Sequence, residues 1–358
     1  MNGIEVGLIE KELWGNVAGK EIYLFCFQNK RGTKLYVSNY GAAAQSLFIK
    51  NKHGHFTDVL LGYDNFKSYR DDDFYMGTVV GRNANRISGG EVFIDGKKYN
   101  LATREGGYHL HGGEFGFNKK VFDFKIPGSN ISMIEFYYTS PDMEEGFPGE
   151  LNLRVTYKLD DEDNWIIQYE CNSDKTTIVN LTQHAYFNLK GHDAGPILDH
   201  FIQIYSGSYL PVNKSQVPDG KIVPVRNTPF DFTRSRRISK RICDKNLQLS
   251  VSNGYDHSWI LKKNPSLQIV HAATVKEMTG GIEVNLYTTE PAVHFYTGNF
   301  LQNVTGKNHA VYGSREGFCL ETQHYPDAPN KPHFPTTILQ QGQQFYSKTI
   351  YSFSTVSK

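Results

Sequence analysis

Residues 151–159 read LNLRVTYKL, with apolar side chains at 151, 153, 155, 157 and 159 and polar ones between them. Successive side chains of an extended chain point to opposite faces, so this alternation predicts a strand with one buried face. Less regular strand signals fall at residues 34–39, 57–61, 165–170 and 282–288. Turn residues punctuate the chain at Asn39-Tyr40-Gly41, Pro127-Gly128, the acidic run 160–163 and Pro218-Asp219-Gly220. Asp95-Gly96, set between EVFI and KKYNL, predicts a two-residue hairpin loop. Residues 340–353 read as a closing strand with a turn at Gln341-Gly342. Helical signals are confined to short pieces at 65–70 and 239–242, and no amphipathic stretch exceeds about three turns. The expected fold is therefore all-β: one large antiparallel β-sandwich over residues 1–358, with few short helices.

Charge and cysteine usage narrow the partners. Lys+Arg total 38 against 37 Asp+Glu, so no net field favours nucleic acid or an anionic membrane surface. No apolar run approaches the length of a membrane span. The N-terminal MNGIEVGLIEKELWG carries acidic residues and no apolar core, unlike a signal peptide. Cys26, Cys171, Cys243 and Cys319 are widely separated, which fits neither a disulfide framework nor a zinc cage. A cytoplasmic setting is expected. No Walker loop or Rossmann glycine pattern appears, so no nucleotide cofactor is expected. The aromatic fraction of 13% suits strands and also the platforms on which sugar rings stack.

Four stretches carry candidate chemistry. Residues 178–189, IVNLTQHAYFNL, read as a strand whose one face holds Asn180, Thr182, His184, Tyr186 and Asn188. That row has no Lys, Glu or Arg, which points to a concave polar surface rather than a solvated one. In GFCLETQ, residues 317–323, Cys319, Glu321 and Gln323 face away from Phe318 and Leu320. Glu321 is a candidate general base, because apolar neighbours disfavour the ionised carboxylate; taken alone, it reads more readily as an exposed glutamate. GRNANRISGG at 81–90 and YHLHGG at 108–113 bring two arginines and two histidines. An arginine fork can hold vicinal oxygens, and the glycines after His111 allow close backbone approach to a ligand. His109 and His111 have a spacing open to metal ligation, but no third ligand follows at a convincing spacing, so no metal is expected. In NGYDHSW, Asp256 can accept two hydroxyl hydrogen bonds, or it can simply stabilise a turn.

Taken in order, NYGAAAQSL, DVLLGYD, GRNANRI, LHGG, GFPGEL, NLTQHAYFNL, GYDH, FYTGNF and GFCLETQHYPDAPN resemble the aldose 1-epimerases, the galactose mutarotases. The resemblance runs from about Asn39 to Phe353. It implies a large β-sandwich with a sugar bound in an open cleft and no cofactor. It implies Glu321 as the catalytic base, His184 as the general acid and His111 as a second active-site histidine. It further implies Arg86, Asn85, Asp256 and Tyr186 as sugar-binding residues. His294 stands where close relatives carry a substrate-contacting glutamine, so sugar preference is left open. His109 and Tyr325 also depart from the family's usual residues, serine or asparagine and tryptophan.

These residue types suit anomer exchange. Opening the ring needs a proton taken from the C1 hydroxyl and another given to the ring oxygen, and a paired base and acid avoid a charged intermediate. Closure reverses the roles, so the groups reset themselves. The expected partner is a free aldose. Three other readings are open at this point. A glycoside hydrolase would use Glu321 and Asp256 as paired carboxylates. A sugar-binding module would need no acid–base pair. A hexose-6-phosphate epimerase would need a basic cluster such as Arg234–Arg237.

Overall fold

The computed structural model describes residues 9–103, 107–128, 132–261 and 268–356. The first eight residues, part of the stretch judged unlike a signal peptide, lie outside them. The alternation at 151–159 is realised as strand Leu151–Leu159, which buries Leu151, Leu153, Val155, Tyr157 and Leu159. The acidic run turns the chain back, and Asn164–Ser173 pairs antiparallel with it, setting Trp165, Ile167, Tyr169 and Cys171 on the same buried face. These two strands belong to an antiparallel sheet of nine strands.

The C-terminal strand, Phe345–Thr355, lies inside that sheet, between Asn164–Ser173 and Ile282–Thr288. It is the closing strand expected from residues 340–353, follows the turn at Gln341-Gly342, and joins the two halves of the large sheet. Trp165 stacks on its Tyr351 with ring centroids 5.3 Å apart, a contact worth about 1 kcal/mol beyond area burial. A five-stranded N-terminal sheet, Ile9–Val17 to Phe56–Asp58 in sequential order, covers one part of the inner face. Phe25 meets Phe124 and Phe136 there, with centroids 4.7 and 6.1 Å away. A second five-stranded sheet covers another part, and its Trp259 and Phe295 join the same core.

That second sheet carries the candidate chemistry. Its strands Asp256–Ile260, Ala292–Tyr296 and Cys319–Gln323 are adjacent and antiparallel. Their register puts Ser258, His294 and Glu321 in one cross-strand row, and Asp256, Tyr296 and Cys319 in the next. Because side chains alternate, both rows share one face, while His257, Phe295 and Leu320 point into the core. Tyr351 of the large sheet donates its hydroxyl to the Leu320 carbonyl at 2.8 Å, tying the two layers together.

Several expectations are corrected. Residues 178–189 do not form one strand. Thr177–Ile178 pairs with Ile338–Leu339, Asn180 bridges Asn83, Thr182–Gln183 pairs with Val79–Val80, and Phe187 bridges Leu60 and Phe318. The segment is woven through five partners, so its alternation does not describe one exposed face. The strand expected at 57–61 is only Phe56–Asp58. The helical piece at 65–70 is helix α1, Phe66–Arg70, capped by the Asn65 side chain. The piece at 239–242 is a 3₁₀ turn, Ile238–Lys240. A helix not anticipated, α2 (Leu247–Ser252), starts at the Asn246 cap and ends at Asn253 in the left-handed region, φ 53°. The hairpin at Asp95-Gly96 forms as expected, with φ of 50° and 76°, the positive values of a primed turn.

Candidate active site

Two clamps fix the woven segment to the edge strand Cys319–Gln323. At one end Phe187 and Phe318 exchange backbone hydrogen bonds of 2.7 and 2.9 Å. At the other the His324 amide donates to the Asn180 side-chain oxygen at 2.9 Å. Between the clamps His184 faces Glu321 across the seam, with Nε2 3.8 Å from Oε1. That gap is too long for a direct hydrogen bond, so neither group is consumed by the other. Both are buried, and Glu321 Oε2 has no hydrogen-bond partner.

The contacts behind the histidines fix how their rings are turned. The Asn85 amide donates to His111 Nδ1 at 3.3 Å, which leaves the ring hydrogen on Nε2. Cys319 Sγ lies 3.7 Å from His184 Nδ1. Burial, and then the nearby charges of Glu321 and Asp256, push the Cys319 thiol well above its ordinary pKa, so it keeps its hydrogen. Nδ1 of His184 is thus turned to Cys319, and Nε2 faces Glu321. Tyr75, Tyr186 and His111 hold the His184 ring, with centroids 5.8, 5.0 and 5.3 Å away.

Opposite this pair stands a polar wall. His294 lies between Ser258 and Asp256, 2.8 Å from the Ser258 hydroxyl at Nδ1 and 2.6 Å from Asp256 Oδ1 at Nε2. Arg86 Nη2 is 4.0 Å from the other Asp256 oxygen. Burial pushes the Asp256 carboxyl up, but the His294 hydrogen bond and the charges of His294 and Arg86 outweigh it and hold the group at about 2. Beneath, His257 accepts from the Asp256 amide at Nδ1 and faces Gln248 through Nε2. Burial lowers its pKa to about 3, so it stays neutral.

All eight side chains singled out in the sequence, Asn85, Arg86, His111, His184, Tyr186, Asp256, His294 and Glu321, line one cavity of about 190 Å³. It is smaller than the roughly 300–1,000 Å³ of drug-sized ligand sites, which suits a single small ring. Tyr186 offers its ring only, because its hydroxyl donates to the Phe74 carbonyl at 3.0 Å. Asn180, Thr182 and Asn188 are buried away from the cavity. His109 and His111 do not act together. His111 leaves the strand at φ 51°, while His109 points into the core and donates to the Ala102 carbonyl at 2.8 Å. The glycine after His111 serves the scaffold rather than a ligand: a Cβ on Gly112 would lie 1.7 Å from the Gly81 carbonyl oxygen. Of the two arginines, Arg82 is a buried brace, donating to the carbonyls of Ser140, Pro148 and Gly149. Arg236–Arg237 sits at the edge of the large sheet and does not line the cavity. Tyr325 packs on Phe334, also away from it.

Sequence reasoning missed Asp73, Phe74, Tyr75, Tyr296 and Phe300 at the cavity wall. Tyr75 takes φ 58°, a conformation rare for an aromatic residue. Only the odd density of aromatics in DDDFYMG and FYTGNF hinted at them.

His111, His184 and Glu321 offer ligand atoms all within 4.8 Å of one another. By residue type this trio can hold a divalent metal, and its members are far apart in sequence, where spacing rules do not reach. The second layer does not fit one. A metal-bound imidazole donates its other N–H, whereas Nδ1 of His111 receives a hydrogen bond. The arrangement is set for proton exchange.

Comparison with known proteins places the chain in a family. The family model for aldose 1-epimerase matches residues 23–352. The galactose mutarotase of Sus scrofa is 40% identical over 319 residues, 89% of this chain and 90% of that protein. The aldose 1-epimerase of Escherichia coli (strain K12) is 33% identical over 337 residues, 94% of this chain and 96% of that protein. A solved aldose epimerase homologue from C. elegans superposes with a TM-score of 0.85 at 28% identity, over 93% of this chain and 99% of that one. The galactose 1-epimerase of Lactobacillus acidophilus NCFM also scores 0.85, at 26% identity over 98% of this chain and 99% of that one. With a family match over most of its length and relatives above 30% identity across both chains, this protein belongs to the aldose 1-epimerase family.

Proposed function

We propose that this protein interconverts the α and β anomers of a free aldohexose such as galactose or glucose, by acid–base opening and closing of the ring. Glu321 removes the proton of the C1 hydroxyl while His184, as the imidazolium, delivers its Nε2 proton to the ring oxygen and is left neutral. The C1–C2 bond then rotates, and the same two groups close the ring with their roles exchanged. His111, with its hydrogen on Nε2, donates to a sugar oxygen beside His184. Arg86, Asn85, Asp256 and His294 hold the distal hydroxyls, and the Tyr186 ring forms one wall. Holding the sugar while leaving C1 free to turn lowers the entropic cost of each step. The four cysteines are unpaired, which supports a reducing, cytoplasmic setting. No helix among the described residues is long and apolar enough to cross a membrane.

One observation carries the reading: a carboxylate and an imidazole 3.8 Å apart, facing one small cavity and bonded to neither partner directly. The two oxygens they serve are attached to a single carbon. Polarimetry on freshly dissolved α-D-galactose is the test. Acceleration well above the spontaneous rate is expected, and a rate equal to that of buffer overturns the proposal. Release of aglycone from aryl galactosides would turn the assignment toward hydrolysis.

A further inference from the structure

Behind the polar wall, outside the cavity, lies one side chain that sequence reasoning did not touch. Gln216 sits at the corner of a tight loop between Val212 and Pro218, which bridge each other. The loop is built on Asn213, whose side-chain oxygen accepts from the amides of Ser215 and Val217 at 2.9 and 3.2 Å. Gln216 itself takes φ 59°, which turns its side chain out of the loop's own hydrogen bonding. Its Oε1 accepts from Arg86 Nη2, and its Nε2 donates to the Val251 carbonyl of α2 at 3.4 Å. The donor contact to Val251 fixes the amide's orientation, so the oxygen must face Arg86. Gln248 of α2 holds the loop's start, exchanging hydrogen bonds of 2.7 and 2.9 Å with the Val212 backbone. Loop and helix thus form one braced unit.

Arg86 needs such a brace. Its Nε is buried without a partner, and Asp256 lies at the 4.0 Å limit of an ion pair. We propose that Gln216 is a positioning residue for sugar binding: it aims the Arg86 guanidinium into the cavity without touching the sugar. The inference rests on the mutarotase reading above. Its consequence is specific. Losing the brace weakens the hold on the sugar in every state alike, so KM rises while kcat stays. A purely structural role would lower stability or kcat with no reference to Arg86.

The test is a double-mutant cycle on galactose mutarotation, using Gln216→Met, which keeps the side chain's length and removes both polar atoms, and Arg86→Ala. Gln216→Met should raise KM about tenfold, the scale of one hydrogen bond to a charged group, with kcat within about twofold. In the Arg86→Ala background the same change should leave KM where it was. Gln216→Asn, one methylene shorter, gives a second measurement in the same direction should the methionine variant fold poorly. An unchanged KM in active protein, or equal increments in both backgrounds, overturns the positioning role alone. A wild-type protein that leaves the spontaneous rate unchanged overturns the mutarotase reading and this inference with it.

Discussion

A histidine acts on a ligand only through the ring nitrogen turned toward it, and at His184 the nitrogen facing Glu321 and the cavity is Nε2. Cys319 holds the ring in that orientation, with Sγ 3.7 Å from Nδ1. Cys319→Ala should therefore lower kcat by a few-fold, the value of one weak hydrogen bond, with KM unchanged, and Cys319→Ser should recover most of it. Stopped-flow polarimetry on the two variants checks this; equal kcat in both would assign the cysteine to packing alone. The acid–base pair itself is expected to dominate. Glu321→Gln should abolish nearly all activity, and His184→Asn should lose at least about two orders of magnitude in kcat. Retained activity in Glu321→Gln would remove the base from the mechanism.

Among the elements, the hairpin Val304–Thr305 with Val311–Tyr312 is held by a buried charge. Lys307 reaches Asp58 at 2.5 Å and the Gln45 carbonyl and Ser46 hydroxyl at 2.9 Å each, all from the N-terminal sheet. Burial lowers its pKa, and Asp58 works against that. Lys307→Met leaves Asp58 buried and unpaired, and should cost about 3–5 kcal/mol in urea unfolding, while adding Asp58→Leu should restore part of it. Elements also decide what was legible in the sequence. The strands at 151–173 were readable because each has one face in the core along its whole length. The segment 178–189 was not, because its backbone changes partner every few residues and no single period survives. His184, Tyr186 and Glu321 were still found, since a histidine, a tyrosine and a carboxylate among apolar neighbours mark chemistry in any backbone. Tyr75 and Gln216 were not, because both sit at positive φ, where periodicity gives no signal.

At the level of the whole molecule, burial of the polar wall should make stability fall in acid. The unfolded chain protonates His257 near its ordinary 6.5, whereas the folded chain resists until about 3. Between those values the unfolded state binds more protons, so stability rises with pH there. Asp256, held at about 2 against an ordinary 3.8, adds stability above pH 4 that is lost as pH falls toward 2. The unfolding free energy from urea titration should drop by an amount on the order of a few kcal/mol from pH 7 to 4, and His257→Gln should flatten that slope. A slope unaltered in the variant would shift the effect to other buried groups. The two clamps that bracket His184 and Glu321 bear on how such a chain can change length. Phe187 meets Phe318 and His184 meets Glu321 because equal numbers of residues separate each pair on both sides of the seam. Deleting one residue from either side would rotate the count by one and present Leu320 or Thr322 where the carboxylate belongs. Evolution can therefore trim or extend this chain at its outer loops, but within these two short stretches only substitution is open to it.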